Sequence, residues 1–176
     1  VAELTTWRKA NKTTAEEARR RFVQFVVLAS IASSNELVTR LALKGGNALR
    51  FVHGNMRSTL DLDFTADGGL PDAAPEIAAL LDGALKRAER QFQVKARCLS
   101  IHRNPKNPNR TLPTYRVNVC YQVAGDRHYQ NFEERKTLPF VELEISLNDV
   151  LCETFQKQLS TNTSPIRVCT LEDILA

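Results

Sequence analysis

The sequence predicts an α+β domain in which a sheet is flanked by helices. Three observations point there. Residues 13–33 and 75–90 space their apolar side chains at the helical period. The stretches Phe92–Ser100, Tyr115–Tyr121 and Pro139–Ser146 alternate apolar with polar residues, as half-buried strands do. Between the two helices, Leu41–Thr65 holds two short apolar runs separated by a glycine pair, and most of the residues capable of chemistry lie there. A chain of 176 residues suffices for one domain with a full core.

In chain order, residues 1–12 are polar and basic and read as a loose arm. Thr13-x-x-Glu16 and Thr14-x-x-Glu17 are overlapping capping boxes, so a helix starts there and runs to about Ser33. Phe22, Val26 and Ala29, or Phe25, Leu28 and Ala32, supply its buried side. Leu41-Ala42-Leu43 is a short strand that breaks at Gly45-Gly46, and a helical turn follows from Asn47 to Val52. A second strand runs from Leu60 to Phe64. Asp67-Gly68-Gly69 and Pro71 mark a loop, and Pro75 suits the first turn of the next helix. Asn104–Pro113, with three prolines and three asparagines, cannot be regular structure. A polar, mobile stretch is expected from Asp126 to Lys136. Beyond Val150 the sequence reads as a short helix, the strand Ile166–Val168, and a helix beginning at Leu171.

Asp61 and Asp63 sit two apart on the second strand, so both aim at one point while Leu60, Leu62 and Phe64 face the other way. Two such carboxylates repel unless a proton or a cation sits between them. Mg²⁺ takes one or two carboxylates together with phosphate oxygens. Gly45-Gly46, at a strand end opening a helix, lets backbone N–H groups approach phosphates. A phosphate cradle facing a metal pair is the reading. His102 and His128 have no evident partner, and no Ser–His–Asp or Cys–His arrangement is apparent.

Lys44-Gly45-Gly46-Asn47-Ala48-Leu49, followed by Arg57-x-Thr59-x-Asp61-x-Asp63-Phe64, resembles the signature of the polymerase-β-like nucleotidyltransferases. Within that superfamily it is most similar to the AbiEii/AbiGii-type toxins of type IV toxin–antitoxin and phage-defence systems. Asn47 stands where the family commonly has Thr, and Thr59 where it has Ser. The resemblance implies the polymerase-β-like nucleotidyltransferase fold, a mixed, twisted sheet flanked by helices, with Asp61, Asp63 and a third acidic residue on a neighbouring strand binding Mg²⁺ or Mn²⁺. In Val141-Glu142-Leu143-Glu144-Ile145-Ser146 the family pattern lands on Glu144, which leaves Glu142 to solvent. The Gly45-Gly46-Asn47 turn is expected to hold the NTP triphosphate, with Arg57 and Thr59 as further phosphate contacts. Lys44 suits either a nearby acid or the nucleotide.

The family's activity would be transfer of a nucleoside monophosphate from an NTP to RNA, the 3′ end of tRNA among the acceptors, held in check by a cognate antitoxin. Composition fits an acidic polymer as partner. The net charge is +4, and Arg90–Gly125 has no Asp or Glu but seven basic residues. Arg103, Lys106, Arg110 and Arg116 within it are the candidate nucleic-acid contacts. The same block argues against a cationic acceptor such as an aminoglycoside, the alternative on this core. The intact Gly-Gly, Asp-x-Asp and Glu144 set argues against a binding module without turnover. Cys98, Cys120, Cys152 and Cys169 lie far apart without a Cys-x-x-Cys pair, as in reduced cytoplasmic proteins. No apolar run reaches the ~18 residues a membrane span needs. The chain opens on Val1, and Leu171–Ala176 reads as a helix barely begun. In the family, the segment that Arg167–Ala176 resembles continues into a helical C-terminal half that brings a nucleotide-binding lysine, so the resemblance implies that residues 1–176 are a catalytic domain cut before it.

Overall fold

The computed structural model describes residues 14–53, 59–66, 68–104, 113–147 and 153–171. Helix α1 (Ala15–Ala32) starts where its capping box predicts: Thr14 Oγ1 accepts the N–H of Glu17 at 3.1 Å. Glu16 and Glu17 in its first turn suit the positive end of the helix dipole. The helix stops at Ser33. Ser34 then caps a six-residue helix, α2 (Asn35–Arg40), accepting the N–H of Leu37 at 3.4 Å. So short a helix presents less than two turns of pattern and is silent in the sequence.

Strand β1 (Leu41–Lys44), helix α3 (Gly45–His53) and strand β2 (Leu62–Ala66) follow, then α4 (Ala74–Phe92). The rest is strand: β3 (Val94–Asn104), β4 (Thr114–Val123), β5 (Phe140–Ser146), β6 (Thr154–Gln158) and β7 (Pro165–Cys169). All seven form one sheet in the order β3-β4-β5-β2-β1-β7-β6. β2 is central, antiparallel to β1 and parallel to β5, so the sheet is mixed as expected.

One face of the sheet is apolar. Leu41, Leu43, Leu62, Phe64, Val117, Leu143 and Ile145 are fully buried there with Val23, Val27 and Leu28 of α1 and Ile77, Leu81 and Leu85 of α4. Each such side chain contributes about 1.5–3 kcal/mol on burial. Strand alternation then forces the polar residues onto the opposite face. Cross-strand partners share a face, so the register sets Lys44, Asp63, Glu144, Arg116 and His102 in one row across five adjacent strands.

The structure departs from the sequence reading in four places. The second strand begins at Leu62, not Leu60; Leu60 is 59% exposed and Asp61 lies in a bend before the strand. Phe92 ends α4 instead of opening β3, because its ring packs edge-on against Phe25 at 5.7 Å and Gln93 turns the chain in the left-handed region. The polar stretch after Asp126 is folded down: Phe132, in a 3₁₀ turn, is buried against Cys120 and Leu138. The helix expected after Val150 is instead the edge strand β6, paired antiparallel with β7. Its turn is closed by Ser160 and Thr163, whose hydrogen bonds of 3.0–3.1 Å satisfy the backbone locally. Thr154–Gln158 has little apolar period of its own, so pairing with β7 decides its conformation.

Candidate active site

The glycine pair sits where β1 hands over to α3. Gly45 takes φ +70°, a left-handed value that favours glycine, and a Cβ there would overlap the Asp63 carboxylate. A Cβ on Gly46 would collide with the methyl of Thr59. The absence of side chains thus lets the N-terminal turn of α3 close directly against the carboxylate strand. Backbone N–H groups at a helix start attract anions.

Asp61 is positioned by neighbours the sequence does not advertise. Asn47, 0% exposed, donates its side-chain amide to the Asp61 carbonyl and, at 3.4 Å, to that of Thr59. Gln24 of α1, 1% exposed, donates to the carbonyls of Leu60 at 2.8 Å and Thr59 at 3.4 Å. Thr59 Oγ1 adds a bond to the Asp61 carbonyl at 3.2 Å. Residues 59–61 are therefore held by side chains of two helices where a strand would use a ladder, which is why β2 starts late. Gln24 was not legible as a supporting residue. Its only signal is an amide on the otherwise apolar side of α1.

Asp63 is partly buried beside Lys44 and Glu144 in register. Its carboxyl is pushed up to about 6, first by burial and then by the charges of Asp61 and Glu144, with Lys44 opposing. Lys44 Nζ donates to Ser146 Oγ at 3.1 Å, so it ties β1 to β5 next to the carboxylates. Glu144 meets Arg116 Nη2 at 3.6 Å, and Glu142 meets Arg116 Nε at 3.5 Å. Glu142 is not the solvent-facing member of the pair. Its side chain is 26% exposed against 36% for Glu144, because Arg116 from β4 lies over both.

Among the described residues no three His, Cys, Asp or Glu side chains are gathered tightly enough to hold a metal ion on their own. The donor chemistry nevertheless suits a hard cation. Asp61, Asp63 and Glu144 offer oxygen alone, and Mg²⁺ or Mn²⁺ completes its shell with water and phosphate oxygens. The raised Asp63 carboxyl fits too, since a proton settles where two neighbouring negative charges would otherwise favour a cation.

Of the candidate nucleic-acid contacts, Arg103 is exposed near the end of β3, and Arg116 is half-exposed on the polar face. Arg57, Lys106 and Arg110 lie outside the described residues. The basic block is not uniformly available: Lys95 pairs with Glu89 at 3.7 Å, and Arg97 pairs with Glu133 at 3.5 Å while donating to the Arg135 carbonyl. Cys98 is partly buried and Cys120 and Cys169 are buried, and Cys152 lies outside the described residues. Among the described residues no helix is long and apolar enough to cross a membrane.

A central strand bearing acidic residues beside a glycine turn, in this mixed sheet, defines the polymerase-β-like nucleotidyltransferase fold. A Helicobacter pylori protein described as a nucleotidyltransferase superposes with a TM-score of 0.54 at 19% identity, covering 93% of this chain and 57% of that one. JHP933 from Helicobacter pylori matches with a TM-score of 0.54 at 18% identity, covering 92% and 55%. MenT4, a nucleotidyltransferase toxin from Mycobacterium tuberculosis H37Rv, gives 0.54 at 14% identity, covering 98% and 55%. The chain thus spans little more than half the length of these structures. It belongs to the nucleotidyl transferase AbiEii toxin family of type IV toxin–antitoxin systems, whose model matches residues 26–176. Comparison with curated proteins gives no match.

Proposed function

We propose that this chain is the catalytic core of a toxin that transfers a nucleoside monophosphate from an NTP to RNA, with the 3′ end of tRNA as the acceptor. The observation that carries the reading is the meeting of Asp63 with Glu144 and Asp61 beside the Gly45-Gly46 turn. In the transfer, an acceptor hydroxyl attacks the α-phosphorus, the bond to the β-phosphate oxygen breaks, and pyrophosphate leaves. The hydroxyl proton passes to a nearby base, for which Glu144 is the candidate. The turn at Gly45 and Gly46 holds the triphosphate through backbone N–H groups, and Thr59 and Arg57 add contacts to it. Lys44 offsets charge at Asp63 and keeps β1 in place against β5.

Asp61, Asp63 and Glu144 would hold the divalent ions, which supply charge neutralisation at the α-phosphate and lower the pKa of the attacking hydroxyl. The acceptor is read as RNA because Arg116 lies on this face, with Arg103 exposed on the edge strand beyond it, and a polyanion gains from such cations. A cognate antitoxin and a cytoplasmic setting follow from family membership as part of the same reading. The test is incubation of the protein with each labelled NTP, Mg²⁺ and total RNA. Label entering a defined RNA species, lost in Asp61→Asn, is the expected result. Label on a small molecule instead would reassign the acceptor.

A further inference from the structure

Beside the carboxylates, on the same polar face, lies a recess of about 310 Å³ lined by His102, Arg103, Asn104, Arg116, Asn118 and Glu142. We propose that this recess receives the terminal nucleotide of the acceptor RNA. The inference rests on the RNA-transfer reading above and adds to it the place where the acceptor is held.

Three observations carry it. The first is position. Arg116 forms the wall between the recess and the site, since it touches Glu142 inside the recess and Glu144 in the carboxylate row. A group seated there is adjacent to the residue assigned to the attacking hydroxyl. The second is size. Its volume is at the low end of the ~300–1,000 Å³ found for ligand pockets, enough for one nucleotide-sized group and not for a folded partner. The third is chemistry. Arg116 supplies a cation for phosphate, Glu142 supplies an acceptor for ribose hydroxyls, and the amides of Asn104 and Asn118, the latter also donating to Ser100 Oγ at 3.2 Å, supply donors and acceptors for a base edge. A carboxylate within a phosphate-binding recess is unfavourable to a triphosphate, which brings several negative charges. It suits a ribose, whose hydroxyls donate.

The experiment compares the wild-type chain with the double variant Asn104→Ala, Asn118→Ala, the first position exposed and the second partly buried. Binding of a fluorescent single-stranded tetraribonucleotide with a free 3′-hydroxyl is measured over a salt series, alongside KM for acceptor RNA and for NTP. The expected result is about a ten-fold loss of oligonucleotide affinity and a matching rise in acceptor KM, with the salt slope and KM for NTP held. Failure of the wild type to bind the oligonucleotide, equal binding by both proteins, displacement of the oligonucleotide by NTP alone, or a rise confined to the NTP KM would each overturn the assignment. Failure of the broader reading looks different. The wild-type protein would then label no RNA, whatever the recess binds.

Discussion

Asp63 and Glu144 stand opposite each other on adjacent parallel strands, and Asp63 has Lys44 as its partner on the other side. The strand pairing itself, not loop conformation, fixes the spacing of the two acids. Asp63→Asn should abolish metal-dependent transfer while leaving the fold intact, because an amide of the same shape relieves like-charge repulsion. Glu144→Gln should lower kcat by roughly a hundred-fold or more, as loss of a proton-accepting group does. Glu142→Gln should act mainly on acceptor KM. Steady-state kinetics of the three variants, with circular dichroism as the folding control, would separate these roles; a larger kcat loss for Glu142→Gln would exchange the two glutamates.

A pH dependence follows from Asp63. Its carboxyl is raised to about 6 in the folded chain, so between the ordinary carboxylate range near ~4 and that value the folded state binds more protons than the unfolded one. Stability without metal should therefore fall as pH rises through this window, then level off above it. Urea unfolding in the presence of a chelator measures it. Asp63→Asn should flatten that contribution, and an unaltered slope would remove Asp63 as its source.

The clamp on residues 59–61 makes a separate prediction. Asn47→Ala or Gln24→Ala removes a buried donor to the partly buried carbonyls of residues 59–61, at about 1–3 kcal/mol each. Because Asp61 loses its support, activity should fall further than stability alone explains, by up to about a hundred-fold for an ångström-scale displacement. Comparing kcat well below the melting temperature with the change in midpoint tests this. Full activity in a destabilised variant would show that Asp61 holds its place without the clamp.

Gly45→Ala places a Cβ against the Asp63 carboxylate at a left-handed φ. The backbone conformation alone costs a non-glycine residue about 1–2 kcal/mol, before the overlap is relieved. The expected outcome is a lower melting temperature together with a raised KM for NTP. Gly125→Ala, also at positive φ but with open space around its Cβ, is the control, with the strain and no loss of NTP binding.

Much of this was legible before any coordinates. The helical period of α1 and α4, the capping box at Thr14 and the strand alternation of Phe140–Ser146 are local signals, and they gave the right elements; the inward faces are right for α4 and Phe140–Ser146, whereas on α1 Val23 and Val27 are buried and Phe22 and Phe25 only partly so. Gly45-Gly46 followed by Asp61 and Asp63 marked the candidate site because few other functions need those residues in that order. What stayed hidden depends on residues far apart in the chain. Gln24 reads as an interruption of an apolar helix face until the 59–61 segment is seen beside it. Glu142 was consigned to solvent because nothing local reveals that Arg116 crosses from the next strand. The β6 strand carries no period of its own and exists because β7 is there to pair with it.

The parallel pairing of β2 with β5 also has a consequence in time. A parallel pair cannot close through a tight turn; here α4, β3 and β4 must all be made and placed before β5 can dock. Emerging from the ribosome, the chain presents its glycine turn and both aspartates early, and Glu144 only after most of the sheet has been synthesised. Closing so long a loop is among the slower events of folding. The third carboxylate therefore arrives last, and a nascent or partly unfolded chain can carry the cradle without the full acidic set.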